Sequence, residues 1–190
     1  MDGKELQAIW RSKTASFGAW ITLADAAVTA IICNAGYEWV VIDTEHHPFN
    51  PENLREIIAV ARARNVTPIV RVSSNNAATI KQALDFGAEG IIVPLLRSAA
   101  EAQEAVAACR YPPHGIRGYN PRDASNFFEQ IDGYLKTINE RVLVILQVEH
   151  IDAVNNLDGI LATPGISGIL IGPADLSYSM GFPLQIDQPS

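Results

Sequence analysis

Along most of the chain, short apolar runs alternate with stretches whose apolar residues recur three and four positions apart. The runs SFGAWIT (16–22), YEWVVID (37–43), TPIVRV (67–72), GIIVPLL (90–96), RVLVILQVE (141–149) and ISGILIGPADLS (166–177, with its following turn) predict six strands. YEWVVID is apolar almost throughout, as a strand covered on both faces should be. Between them, LADAAVTAIICNAG reads as a helix that stops at Gly36. Asn50, Pro51 and Glu52 form an N-cap, an N1 proline and a first-turn acid. Leu54, Ile57, Ile58 and Ala61 follow at i, i+3, i+4 and i+7. NNAATIKQALDFGA, SAAEAQEAVAACR and HIDAVNNLDGILATPG predict three more helices. Residues 111–130, YPPHGIRGYNPRDASNFFEQ, break the pattern; their length predicts a functional loop or lid.

Strand–helix alternation implies a parallel sheet with right-handed crossovers. Its two common forms are an open doubly wound sheet and a (β/α)8 barrel. No Gly-x-Gly-x-x-Gly follows the first strand, and no Gly-Lys-Ser/Thr phosphate loop occurs, which weighs against a nucleotide-binding fold. A barrel predicts that reactive groups collect at strand C-termini. They do. Asp43 ends the second strand with Glu45 and His46 just beyond, Arg71 ends the third, Gln147 and Glu149 the fifth, and Gly172-Pro173-Ala174-Asp175 the sixth.

Composition narrows the partners. The 190 residues are 48% hydrophobic and 18% charged, enough for one buried core. The net charge is −7 with no basic stripe, which argues against nucleic acid. No run approaches the roughly 18 apolar residues of a membrane helix, and the charged, amphipathic MDGKELQAIWRSK lacks the apolar core of a signal peptide. Cys33 and Cys109 lie in apolar helical patterns without metal spacing, so they read as buried, reduced thiols of a cytoplasmic protein.

Glu149 and Asp175, two carboxylates with open positions beside them, suit a hard divalent ion such as Mg²⁺ or Mn²⁺. Arg71 would face the same mouth and hold an oxyanion. His46, with Asp43 three residues earlier, has the makings of a base and its orienting carboxylate. The turn after the sixth strand offers backbone N–H groups to a substrate carboxylate. Together these fit enolate chemistry on a 2-oxo acid. A Schiff base fits poorly, because all four lysines lie outside the strand ends. His47 and His150 read as neighbours rather than reacting groups, and His114, in the Pro/Gly loop, as a solvent-facing or lid residue. Glu45 reads either as a group behind the metal's waters or as a loop acid, and Arg117 as a lid residue that binds substrate or as part of a loop bend.

IDTEHHPFN, IVRV, GIIVPLL, YPPHGIRG, QVE and GPADLS, in that order, resemble the metal-dependent class II pyruvate aldolases of the HpcH/HpaI family, from about Phe17 to Gly181. The resemblance implies a (β/α)8 TIM barrel of the phosphoenolpyruvate/pyruvate type, a homo-oligomer (a hexamer), and a divalent ion, Mg²⁺ or Mn²⁺ with Co²⁺ as a third option. It implies pyruvate and an aldehyde as substrates. By the same resemblance Glu149 and Asp175 match the metal ligands, Arg71 the pyruvate-binding arginine, and His46 with Asp43 the acid–base dyad. Gln147, Ala174 and Asp175 match the substrate cradle, Trp20 a residue of the aldehyde pocket, and Asp85 an acid that reaches a neighbouring subunit's site.

A full barrel takes about 250 residues, whereas residues 1–190 hold about six strand–helix units of one barrel domain. An unclosed sheet predicts exposed edges and apolar surface. Two alternatives stand beside the aldolase: an oxaloacetate decarboxylase or other enolate-transferring lyase, and a non-catalytic fragment that assembles with longer relatives.

Overall fold

A computed structural model describes residues 1–186. Six parallel strands form one curled sheet in chain order: β1 (Gly18–Ile21), β2 (Trp39–Asp43), β3 (Thr67–Arg71), β4 (Gly90–Val93), β5 (Leu143–Val148) and β6 (Gly168–Ile171). Helices α1 (Gly3–Arg11), α2 (Ala26–Cys33), α3 (Pro51–Ala63), α4 (Ala77–Asp85), α5 (Ala99–Cys109) and α6 (Ile131–Arg141) precede or follow them, with α7 (Ile151–Asn155), α8 (Leu157–Leu161) and α9 (Pro173–Ser179). This is the barrel topology expected, as a half-barrel. The apolar surface follows: Phe17 is 67% exposed and Ile31 70% on the β1 side, and Ile171 is 60% exposed on the β6 side.

Strand alternation sorts the core into two layers. Val40, Ile42, Val70, Ile91, Val93, Val144 and Leu146 face the helices. Val41, Ile69, Ile92, Leu143 and Ile145 face inward, and Leu6 of α1 plugs the strand N-terminal end beneath them. The capping box of Asp2 and Glu5 starts α1, and Gly3 N–H donates to Glu89 there. Gly18 leaves room for the Trp39 ring; a Cβ would lie 2.1 Å from it.

Three differences from the sequence reading have physical causes. The helix expected over 150–165 is two short helices, because Asn156 breaks out of the α region and its Nδ2 bonds Arg97 O and Asp152 O. Helix α6 was not expected; only Tyr134 and Ile138 are buried, too thin a stripe to stand out. Residues 111–130 are not a lid over the strand C-termini. They join α5 to α6, and their bonds to Arg62 near the end of α3 and to Asp85 at the end of α4 hold them at the opposite end of the barrel.

That segment is pinned down. Arg117 is 3% exposed, 2.8 Å from Asp85 and 3.1 Å from the Tyr134 hydroxyl, and its guanidinium stacks 4.5 Å from the Tyr111 ring. Arg55 grips Asp123 with two bonds of 2.8 Å, and Arg62 donates to the Asp123 and Ala124 carbonyls. Of the two readings of Arg117, the loop role is therefore the one seen.

Candidate active site

Asp43 and Arg71 occupy paired register positions at the ends of β2 and β3. They share the inward face with Val41 and Ile69, two residues earlier on each strand. Gln147 continues the inward row of Leu143 and Ile145 on β5, and Glu149 follows it. The period of two thus places a polar residue at the C-terminal end of the inward rows of β2, β3 and β5.

Asp43 is 1% exposed. Arg71 Nε donates to its Oδ1 at 2.9 Å and Arg71 Nη2 to its Oδ2 at 2.7 Å. The Glu45 N–H also reaches Oδ1, at 3.2 Å. Burial opposes the charge on Asp43, but Arg71, His47 and that N–H together hold its carboxyl below the usual carboxylate range. Arg71 Nη1 lies 3.2 Å from Glu45 Oε2. Burial pushes the Glu45 carboxyl up; Arg71 and His46 pull against it, and the charges of Glu149 and Asp43 reinforce it. Arg71 also lies under Trp20, 4.6 Å from the ring centroid, with Trp20 41% exposed to the mouth.

The expected Asp43–His46 pair is not formed. His47 Nδ1 sits 2.8 Å from Asp43 Oδ2, while His46 turns outward with Nε2 3.6 Å from Glu45. The cause is local. The Glu45 N–H bonds back to Asp43, tightening the turn so that the ring four residues on, rather than three, falls on the carboxylate.

Glu149 is 2% exposed. Its Oε1 accepts from Leu95 N–H at 2.7 Å, and its Oε2 accepts from Gln147 Nε2. Leu95 takes a positive φ of 57° to aim that N–H, a conformation that nothing in its sequence marks. Glu149 has no salt-bridge partner among the described residues, and Gln147 Oε1 is buried without a hydrogen-bond partner. A buried carboxylate without a salt-bridge partner, beside an unused carbonyl oxygen, fits a cation. No cluster of three or more His, Cys, Asp or Glu occurs among the described residues. Protein ligands would therefore be few and the remaining positions open to water or substrate.

Asp175 and Ala174 are exposed in the first turn of α9, where their N–H groups have no intrahelical acceptor. Gly172, just before α9, abuts Glu149: a Cβ there would lie 2.8 Å from Glu149 Oε2. Asp85 does not join this group. It ends α4 at the far end of the barrel, where its carboxylate accepts from Arg117 Nη2 at 2.8 Å. Burial raises its carboxyl above the usual range against the pull of Arg117.

A sequence model of the HpcH/HpaI aldolase/citrate lyase family matches residues 16–189. The chain belongs to that family. It is 43% identical over 168 residues to a hydroxypyruvate/pyruvate aldolase of Roseobacter denitrificans, covering 87% of this chain and 65% of that protein. It is 41% identical over 166 residues to a 4-hydroxy-2-oxo-heptane-1,7-dioate aldolase of Salmonella arizonae, covering 87% and 63%. The chain thus spans just under two thirds of the length of these curated relatives. The crystal structure of a family protein from Burkholderia cenocepacia superposes with a TM-score of 0.90 at 32% identity, over 97% of this chain and 75% of that one. No helix of the described residues is long and apolar enough to cross a membrane.

Proposed function

We propose that this protein is a divalent-metal-dependent aldolase that makes and breaks the carbon–carbon bond between pyruvate and an aldehyde. The observation that carries this reading is the polar group at one end of the inward face, in which a buried Glu149 without a salt-bridge partner shares the site with an Asp43-bound Arg71. Relatives named as pyruvate aldolases support the choice of reaction.

In this reading Glu149 and Asp175 hold Mg²⁺ or Mn²⁺, with Co²⁺ a third candidate. When bound, the ion supplies Lewis-acid stabilisation of enolate charge. Arg71, fixed by Asp43 and Glu45, presents its guanidinium to the same oxyanion. The Ala174 and Asp175 amides and Gln147 cradle the pyruvate end, and Trp20 lines the aldehyde side. His46, free of Asp43 and 58% exposed at its side chain, takes the proton from the C4 hydroxyl of a 4-hydroxy-2-oxo acid. The C3–C4 bond then breaks, its electron pair passes into the enolate, and the aldehyde leaves. Protonation at C3 gives pyruvate; condensation is the reverse. The working assembly in this proposal is a cytoplasmic homo-oligomer.

The test is pyruvate in D₂O, with and without Mn²⁺ or Mg²⁺, following loss of the methyl proton signal. Metal-dependent exchange that disappears in Glu149→Ala is expected. No exchange from a folded, metal-supplied protein would overturn the reading. Aldehyde-dependent condensation then separates an aldolase from a decarboxylase.

A further inference from the structure

Helix α9 touches the segment that carries Glu149 at both of its ends. At the start, Gly172 packs against the Glu149 side chain, with no room for a Cβ. At the finish, Ser179 Oγ accepts the Ile151 N–H at 2.9 Å and donates to the Leu176 carbonyl at 2.8 Å.

The second contact is a helix cap supplied by another element. Ile151 is the first residue of α7, and its N–H has no acceptor within that helix. The local cap, His150, serves the next amide, Asp152, at 3.1 Å. The remaining orphan donor is taken by α9. Only His150 separates Ile151 from Glu149, so the bond ties the last turn of α9 to the turn that follows Glu149.

Residues four apart share a helix face. Asp175 lies four residues before Ser179. The face that Ser179 turns toward the Glu149 segment is therefore also the face from which Asp175 projects. Gly172 holds the start of α9 against Glu149, and the Ser179 hydroxyl bonds its last turn to Ile151.

We propose that Ser179 is a positioning residue for the metal site: it sets the roll of α9 so that the Asp175 carboxylate faces Glu149. The inference rests on the metal reading above and adds a residue outside the ligand set. Outer hydrogen bonds of this kind commonly change metal affinity by about 10- to 100-fold.

The experiment is a Mn²⁺ titration by electron paramagnetic resonance on the wild type, Ser179→Ala and Ser179→Thr, with amide exchange at Ile151 measured in parallel. Ser179→Ala should weaken Mn²⁺ by about tenfold and speed exchange at Ile151. Ser179→Thr, which keeps the hydroxyl, should restore both. Wild type that binds no Mn²⁺ overturns the metal reading and this inference with it. Wild type that binds, with Ser179→Ala binding equally well, overturns this inference alone. A Ser179→Ala protein that loses thermal stability but keeps Mn²⁺ affinity also overturns it, by leaving Ser179 only a structural part. If Ser179→Ala does not fold, Ser179→Thr decides: failure to bind Mn²⁺ with Ile151 still protected refutes the inference, and wild-type binding supports it.

Discussion

Replacing Asp43 by Asn keeps the side-chain shape and removes the charge. In the wild type both carboxylate oxygens are in use, with Arg71 at 2.9 and 2.7 Å, His47 at 2.8 Å and the Glu45 N–H at 3.2 Å. The amide keeps one acceptor and turns an NH₂ group toward donors already in place. Breaking a buried ion pair from one side typically costs about 3–5 kcal/mol. Two features lower that figure here: Arg71 is 12% exposed, and Glu45 remains 3.2 Å from Nη1. The expected loss at pH 7 is about 2–4 kcal/mol, read by urea unfolding. A double-mutant cycle with Arg71→Met should show that the two losses are not additive. The pH dependence has a definite sign. A carboxyl held below its unfolded value contributes stability above about pH 4 and loses it as pH falls through the folded value. The gap between wild type and Asp43→Asn should therefore be full at neutral pH and close in acid. A loss under about 0.5 kcal/mol at pH 7, the usual range of surface substitutions, would refute the ion-pair reasoning.

The other expected outcomes concern Arg117 and the two histidines. Arg117→Met should cost about 3–5 kcal/mol, because it strands the Asp85 carboxylate that burial already penalises; limited proteolysis should then cut within residues 111–130, and an unchanged melting temperature would sink the assignment. His46→Gln should lower kcat for retro-aldol cleavage by about 100-fold or more. His47→Gln should lower it less while destabilising the fold through Asp43, and the reverse ranking would transfer the proton-carrying role to His47.

The strand ends were readable because alternation is a one-dimensional signal. Asp43, Arg71, Gln147 and Glu149 each close a run whose inward residues are apolar, and the structure places them together at one end. The lid reading of the 111–130 segment was misjudged, although a usable rule existed. In a βα repeat, strand-to-helix connections lie at one end of the sheet and helix-to-strand connections at the other. Chain order alone therefore puts the segment and its Arg117 away from Arg71. The choice between His46 and His47 had no such signal, since it depends on how one backbone N–H closes a turn.

Leu95 marks where sequence reading ends. Its side chain is half exposed, and only its N–H matters, at 2.7 Å from Glu149. A backbone amide carries no residue code. A positive φ at a non-glycine is strain that surrounding packing has to maintain. The same holds for the Ile151 N–H that Ser179 receives. The side chains that would meet substrate are therefore set by residue identity. Their orientation is set by amides, which become visible only once the chain is folded.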